Sequence, residues 1–313
     1  MRFAMLFPGQ GSQSVGMLDA WSASSAVVRD TLAEADAALG WDLSALIQAG
    51  PGCALDKTEN TQPAMLVADV ALWRVWQEAG GPQPTAVAGH SLGEYAALVA
   101  AGVLELADAL PLVRERALAM SAAVAEGEGA MAAIVGLDAD TVVALCAETS
   151  GVVEAVNFNA PTQIVVAGAK AAVDRACEAA KAAGARMART LPVSVPAHSS
   201  LMEGARERLQ AALEACRWQS PRIPLLHNVD AMERSAATEV QAALLAQVHQ
   251  PVLWVQTQQY LLQNYACTRA LECGPGNVLA GLGRRSGVDM SVQAFPSPES
   301  LQECLQSFSA EEA

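Results

Sequence analysis

Basic side chains are scarce in this sequence of 313 residues. It holds 33 acidic residues against 19 lysines and arginines, only three of them lysines, and its formal charge is −14. A surface of this sign repels nucleic acid and anionic membranes, so neither is expected as a main partner. Apolar runs long enough to span a bilayer without an interrupting glycine, proline or charge are also missing.

Cysteine and histidine are sparse and scattered. The seven cysteines are an odd number without a C-x-x-C pair, which favours free thiols in a reducing cytoplasm. The four histidines lack ligand spacing with each other or with cysteine, so no metal is expected. The apolar run at 1–8 is too short for a signal peptide and is interpreted as the first strand, which predicts a cytoplasmic protein.

Apolar runs alternate with helical patterns along most of the chain. Hydrophobic residues make up 52% and charged residues 17%, enough to bury a large core. The predicted strands are Phe3–Phe7, Thr85–Gly89, Leu225–Asn228 and Ala270–Glu272. The predicted helices are Ala23–Leu39, Gln62–Ala79, Leu92–Ala101, Ala107–Ala125, Met202–Ala215, Ala236–Gln247 and Val255–Gln263. This alternation predicts an α/β fold with a mostly parallel sheet, and no repeat period is present.

The middle of the chain has a different order of elements. From Gly129 to Leu191 the pattern reads β-α-β-β-α-β, the ferredoxin-like split arrangement. Glycines and glutamates precede this segment and prolines follow it. We therefore expect a small inserted domain at 127–193, with 1–126 and 194–313 forming the large domain, and a ligand site between the two.

The stretch Thr85–Ala101 carries the strongest chemical signal. An apolar strand ends in Gly89-His90-Ser91-Leu92-Gly93 and turns at once into an alanine- and leucine-rich helix. A bare G-x-S-x-G also occurs in ordinary tight turns, but strand, turn and helix together are the context of a nucleophile elbow. The turn predicts an exposed Ser91 hydroxyl and a free Leu92 N–H, whereas His90 is expected to point away and to be structural.

Five segments together resemble one known family. They are Phe7-Pro8-Gly9-Gln10-Gly11-Ser12-Gln13, the Ser91 elbow, Asn157-Phe158-Asn159 with Gln163, Pro196-Ala197-His198-Ser199, and Gly274-Pro275-Gly276. In order and spacing, and almost from end to end, the chain is similar to the malonyl-CoA:acyl carrier protein transacylases. The resemblance implies a hydrolase-like large domain with a mostly parallel sheet and a small ferredoxin-like domain.

The resemblance also assigns the catalytic groups. Ser91 is the expected nucleophile and His198 its base, because a serine hydroxyl attacks a thioester only with an adjacent base. No aspartate stands at a convincing position to orient the imidazole, and the resemblance gives that role to the main-chain carbonyl of Gln250. The main-chain N–H groups of Gln10 and Leu92 are the expected oxyanion hole. The loop at Gln10 lacks the spacing and the lysine of a nucleotide-binding loop.

Substrate recognition is expected to depend on a buried arginine. Arg116 matches the family's substrate-binding arginine, and its guanidinium can bind the free carboxylate of a malonyl group through two hydrogen bonds. Met120 lies one helical turn further on the same face. Asn159, with Asn157 and Gln163, is expected beside the cleft. The small Ala197 is interpreted as widening the acyl pocket, which leaves malonyl and methylmalonyl both open.

These expectations describe a ping-pong malonyl transfer from malonyl-CoA to the phosphopantetheine thiol of an acyl carrier protein, without cofactor or metal, by a monomer. The pathway can be fatty-acid or polyketide synthesis. A serine acyl hydrolase acting on carrier proteins and a non-catalytic carrier-docking module are the alternatives. Acyl carrier proteins are acidic like this chain, so the two proteins repel each other unless a local basic patch binds the carrier. The candidate residues for such a patch are Lys181, Arg186, Arg189, Arg284 and Arg285. The alternative interpretation is that these are scattered surface charges.

Overall fold

The first strand is buried along its whole length and lies at the centre of a five-stranded sheet. The computed structural model describes residues 2–193 and 195–312. The strands of this sheet are β1 (Phe3–Phe7), β2 (Ala86–Gly89), β7 (Leu225–Leu226), β8 (Arg269–Glu272) and β9 (Ser291–Ala294). Their order is β7-β2-β1-β8-β9, and every neighbouring pair is parallel. Strands β1, β2 and β7 are continuous apolar runs because both of their faces are covered, whereas the edge strand β9 is largely exposed.

Helices cover the two faces of this sheet. Those before the second sheet are α1 (Asp19–Ser24), α2 (Ala26–Leu39), α3 (Leu43–Ala49), α4 (Gly52–Leu55), α5 (Thr58–Glu78), α6 (Gly93–Ala100) and α7 (Leu106–Ala123). Those after it are α10 (Ala205–Glu214), α11 (Ala237–Gln247), α12 (Trp254–Tyr265), α13 (Val278–Gly283) and α14 (Pro298–Glu312). On one face, α2, α5 and α7 bury a cluster that includes Trp21 and Trp76, and on the other face Trp254 packs against β1 and β2.

A second sheet comes from the middle of the chain. Its strands are β3 (Gly129–Val135), β4 (Val153–Ala160), β5 (Gln163–Ala169) and β6 (Met187–Thr190), with α8 (Ala139–Glu148) and α9 (Lys170–Ala182) between them. The order β4-β5-β3-β6 is antiparallel throughout. The predicted class, an α/β fold with a parallel sheet and a separate βαββαβ unit, is confirmed. The domain boundaries at 127 and 193 stay a prediction. The predicted segments begin or end at Met1, Ser194 and Ala313, and these three residues lie outside the described residues.

Some elements differ from the sequence-based expectation. The helix predicted from Ala23 divides at Ser25, which is extended. The strand predicted to reach Asn228 ends at Leu226. The sequence analysis missed β9, α3, α4 and α14, which are short or lie at the edge of the fold, where the hydrophobic pattern is weak. None of the described helices combines the length and apolar character needed to cross a bilayer.

The two sheets meet next to the carboxyl ends of β1 and β2. Val252 joins them, because its N–H donates to the Val156 carbonyl at 2.8 Å and its carbonyl accepts from the Phe158 N–H at 2.9 Å. The edge strand β4 is therefore tied to the loop before α12. The cleft between the sheets opens where the Ser91 turn leaves β2.

Candidate active site

The turn between β2 and α6 has the geometry of a nucleophile elbow. Ser91 has a φ of 53°, in the left-handed region that non-glycine residues seldom adopt. Glycine is required on both sides of it: a Cβ at Gly89 would overlap the main chain of Gly93, and a Cβ at Gly93 would overlap the Phe7 carbonyl. Main-chain segments of β1, β2 and the start of α6 therefore approach closely under the turn, and the serine hydroxyl projects into the cleft.

The structure brings Ser91 and His198 together across 107 positions of sequence. Ser91 Oγ lies 2.7 Å from His198 Nε2, and His198 Nδ1 lies 2.6 Å from the main-chain carbonyl of Gln247. A carbonyl oxygen only accepts, so Nδ1 carries the ring proton and Nε2 is free to accept from the serine hydroxyl. Burial, and after it the nearby Arg116 cation, lowers the pKa of His198 to about 3. The imidazole is therefore neutral and ready to act as a base.

The carbonyl in contact with His198 lies three residues before the expected one. The 2.6 Å hydrogen bond goes to Gln247, and the main chain of Gln250 makes a second, smaller contribution that also raises the pKa of His198, so its expected role stays a prediction. Gln247 is the last residue of α11, and helices leave their final carbonyls without intrahelical partners. The next carbonyl, of Val248, accepts the His198 main-chain N–H at 3.0 Å. A helix carboxyl end also favours positive charge, which stabilises the imidazolium formed during proton transfer.

Arg116 lies beside the serine in a fully buried position. Its Nη1 donates to Gln62 Oε1 at 2.6 Å, and its Nη2 donates to Gln247 Oε1 at 3.0 Å and lies 3.5 Å from Ser91 Oγ. None of the ion pairs formed among residues 2–193 and 195–312 includes Arg116. Burial lowers its pKa, which measures the cost of holding this charge between neutral partners.

The expected oxyanion donors are both unengaged. Neither the Gln10 N–H nor the Leu92 N–H has an acceptor among the residues the structure describes. Leu92 precedes the first turn of α6, and Gly9 brings the neighbouring loop so close that a Cβ there would overlap the His90 carbonyl. The Gln10 side chain accepts from Gln62 Nε2 at 3.3 Å, and the residue lines the cleft.

Two connected cavities adjoin the serine. A cavity of about 110 Å³ is lined by the catalytic pair and by Met120, Met131, Val193, Val195 and Ala197. A second, of about 340 Å³, is lined by Asn157, Asn159, Gln163 and residues of α13. Gln10 and His90 line both. Met120 and Asn159 thus lie where the sequence analysis expected them, although their roles stay predictions.

His90 directs its ring toward the antiparallel sheet. Its Nε2–H donates to Asn159 Oδ1 at 2.7 Å, the ring packs edge-on against Trp254, and the residue lines both cavities. Burial lowers its pKa, so it is neutral. It connects the elbow to the antiparallel sheet, and sequence adjacency to Ser91 was the only available signal of this contact.

A buried polar network under the elbow was not predicted. Glu94 accepts hydrogen bonds from His227 Nδ1 at 2.7 Å, from the Asn228 N–H at 3.1 Å and from Gln247 Nε2 at 2.8 Å. The same Gln247 nitrogen donates to the Ser91 carbonyl at 2.9 Å. Polar residues inside apolar sequence are the one signal that could have indicated it, because buried polar groups require partners.

Among the basic candidates, Arg285 contacts a residue that lines the second cavity, since its Nη1 donates to Gln163 Oε1 at 3.2 Å. Lys181 is instead paired with Glu178 on α9. In the part of the chain that the structure describes, no group of three or more His, Cys, Asp or Glu side chains is arranged to hold a metal ion.

A serine and a histidine in contact, beside two unengaged main-chain N–H groups, are the groups that acyl transfer through a serine requires. Residues 4–278 match the acyl transferase domain family. The chain belongs to the malonyl CoA-acyl carrier protein transacylase family: it is 47% identical to the Salmonella typhimurium protein of that name over 306 residues, which are 97% of this chain and 99% of that protein.

Solved structures agree with this assignment. The acyl-carrier-protein S-malonyltransferase of Burkholderia pseudomallei has 53% identity and a TM-score of 0.95, over 98% of this chain and all of the other. A malonyl-transacylase in complex with its type II PKS acyl-carrier protein has 46% identity and a TM-score of 0.96, again over 98% of this chain and 100% of that one.

Proposed function

We propose that this enzyme transfers a malonyl group from malonyl-CoA to the phosphopantetheine thiol of an acyl carrier protein, through a malonyl ester of Ser91. The family supports the reaction, and the site geometry supports the assignment of roles. The two cavities supply one pocket for the acyl group and one approach for the pantetheine arm.

In the first half-reaction, His198 Nε2 takes the proton of the Ser91 hydroxyl while Oγ bonds to the thioester carbon. The N–H groups of Gln10 and Leu92 hold the negative carbonyl oxygen, and each such donor typically contributes about 10²–10³ in rate. The tetrahedral intermediate then breaks its C–S bond. The CoA sulfur leaves with the proton from His198, and the malonyl ester remains on Ser91.

In the second half-reaction, the carrier's thiol gives its proton to His198 Nε2 and its sulfur bonds to the ester carbon. The C–O bond to Ser91 breaks, and His198 returns the proton to the serine oxygen. The enzyme is unchanged, and the sequence of steps requires no cofactor. We propose that it takes place in the cytoplasm, in a monomer whose residues 127–193 form a separate domain over the cleft.

The observation that carries the substrate assignment is the environment of Arg116. Its two glutamine partners are neutral, and Glu94, the carboxylate that acts on it electrostatically, is held by three other donors. A buried cation without a close counterion is costly, and an acyl group with its own carboxylate relieves that cost. A neutral acetyl group leaves the cation unpaired and is therefore disfavoured.

A competition experiment tests this proposal. The enzyme is mixed with equal amounts of malonyl-, methylmalonyl- and acetyl-CoA, and the acyl group on the Ser91 peptide is read by mass spectrometry. Malonyl-Ser91 is expected to dominate, and Arg116→Ala is expected to lose that preference. Arg114→Ala is the matched control, because Arg114 lies on the same helix but faces the Trp41 ring at 5.7 Å. An unchanged preference in Arg116→Ala would reject the assignment.

The fate of the ester separates transfer from hydrolysis. Malonyl-Ser91 is isolated and its decay is followed in buffer alone and with carrier protein added. A transferase releases the malonyl group much faster to the carrier thiol than to water. Equal rates would instead support the hydrolase, and no acylation at all would support a docking module.

A further inference from the structure

The Ser91 turn removes two main-chain groups from the parallel sheet. Strand β7 pairs with β2 at Val87↔Leu225 and Ala88↔Leu226, and the pairing ends there. The next groups of β2 on this side are the Gly89 carbonyl and the Ser91 N–H. The Gly89 carbonyl is buried and the Ser91 N–H partly buried under the elbow, and such main-chain groups destabilise the turn when they lack a partner.

Asn228 supplies both missing partners with its side chain. Its Nδ2 donates to the Gly89 carbonyl at 2.7 Å, and its Oδ1 accepts from the Ser91 N–H at 2.7 Å. In a parallel ladder one residue bonds through its N–H and its carbonyl to two residues that lie two positions apart on the next strand. The carboxamide of Asn228 therefore replaces the main-chain amide that a continuing β7 would have offered.

The main chain of Asn228 cannot do this itself, because it is engaged elsewhere. Its N–H donates to Glu94 Oε2 at 3.1 Å, and its carbonyl accepts from the Leu253 N–H at 2.9 Å. The residue is fully buried, so its side chain has a fixed position. The elbow is thus held by an anchored amide and not by flexible loop backbone.

We propose that Asn228 is a positioning residue for the nucleophile, acting through the Ser91 and Gly89 main chain and not by contact with substrate. A left-handed φ is strained in a non-glycine residue, and the two hydrogen bonds hold Ser91 in that conformation. Because Asn228 engages the Ser91 N–H, the oxyanion is left to the Leu92 and Gln10 N–H groups. The inference rests on the proposed function for the identity of the acyl group, but not for the reactivity of Ser91.

Two variants test the role. Asn228→Ala removes both hydrogen bonds, and a displacement of about 1 Å at a reacting group can lower a rate about 10²-fold. We expect acylation of Ser91 to slow by roughly that factor while KM for malonyl-CoA changes less than about threefold, since Arg116 is untouched. Asn264→Ala, at an exposed asparagine of α12, is the matched control.

Asn228→Asp distinguishes positioning from packing. A protonated carboxyl can donate to the Gly89 carbonyl and accept from the Ser91 N–H as the amide does, whereas a carboxylate only accepts. The carboxylate of Glu94 on α6 and the imidazole of His227 face this position, and the Arg116 cation on α7 lies on the far side of Ser91. Glu94 contacts Asn228 directly and Arg116 does not, so the charge of Glu94 prevails and favours the protonated form. Activity of this variant is therefore expected near wild type at low pH and to fall as pH rises, whereas Asn228→Ala stays slow at every pH.

The measurement is the rate at which a fluorophosphonate probe labels Ser91 between about pH 5 and pH 9, with the folded fraction followed by circular dichroism. Probe labelling needs no malonyl group, so a failure of the proposed substrate leaves this test intact. Wild-type labelling in Asn228→Ala would overturn the proposal. The proposal would also be overturned if the labelling rates of both variants fall only in proportion to the folded fraction and Asn228→Asp does not recover at low pH.

Discussion

Gln247 accepts the Nδ1–H of His198 through its main-chain carbonyl at 2.6 Å. Its side chain at the same time accepts from Arg116 at 3.0 Å and donates to the Ser91 carbonyl at 2.9 Å. One buried residue at the end of α11 therefore contacts the base, the substrate-binding cation and the nucleophile turn.

The two roles of Gln247 are separable by mutation. Gln247→Ala keeps the main-chain carbonyl and removes the hydrogen bond to Arg116, and a bond to a charged group contributes about 1.5–3 kcal/mol. We expect kcat/KM for malonyl-CoA to fall roughly 10- to 100-fold and the malonyl preference to weaken, while the pH profile is unchanged. Gln250→Ala, at an exposed residue, should stay close to wild type. Equal losses in both variants would contradict this division of roles.

The charge of Arg116 also affects the base. Because a histidine is a base only when neutral, the reactivity of Ser91 is present above the pKa of His198 and is lost as pH falls through it. With that pKa lowered to about 3, wild-type labelling by a fluorophosphonate should not decline in mildly acidic buffer. Arg116→Met removes one cause of the lowering, so its acid limb should move to higher pH. Arg114→Met should leave the limb in place, and coincident limbs in all three proteins would exclude the electrostatic coupling.

Carrier docking is expected to depend on Arg285 and its neighbour Arg284. Arg285→Glu should raise the apparent KM for an acidic carrier about 5- to 10-fold at low ionic strength, and less in high salt because charges are screened. Acylation of Ser91 by malonyl-N-acetylcysteamine, measured without carrier protein, should be unaffected, because this thioester donor carries neither a phosphate nor a carrier. Arg206→Glu, an exposed arginine of α10, serves as the control. An unchanged KM at low salt would leave these arginines as scattered surface charges.

Asp69 on α5 makes stability depend on pH. It is fully buried, and neither carboxyl oxygen has a hydrogen-bond partner among the described residues. Burial, and after it the charge of Glu272, raises the pKa of Asp69 well above its ordinary value. The folded protein thus holds this proton at a pH where the unfolded chain has lost it. Its contribution to stability is complete below the unfolded pKa of about 3.9 and declines, by up to about 1.4 kcal/mol per pH unit, until pH reaches the folded pKa.

Asp69→Asn should therefore raise the free energy of unfolding near neutral pH and flatten its decline above the unfolded pKa of about 3.9. Urea unfolding at several pH values measures both effects. Asp30→Asn, an exposed aspartate of α2, should leave the pH dependence as in wild type. A steeper decline in Asp69→Asn than in wild type would show that the buried carboxyl is ionised and stabilising.

Local sequence patterns are sufficient to predict the α/β class, the βαββαβ unit and the elbow at Ser91. Each is encoded locally: an apolar run, a helical period, or glycines placed where a Cβ would overlap a neighbouring chain. The expected sites of His198 and Arg116 came from motif resemblance, and their side chains do lie beside the serine.

Only the tertiary structure decided which groups complete that site. The 2.6 Å hydrogen bond of His198 Nδ1 goes to the Gln247 carbonyl because α11 ends there, three residues before the expected Gln250. The side chain of Asn228 reaches the elbow because β7 stops at Leu226 and lies beside β2, a contact spanning 137 positions. Hydrogen-bond partners so far apart in the chain are selected by packing geometry, which has no local signature in sequence.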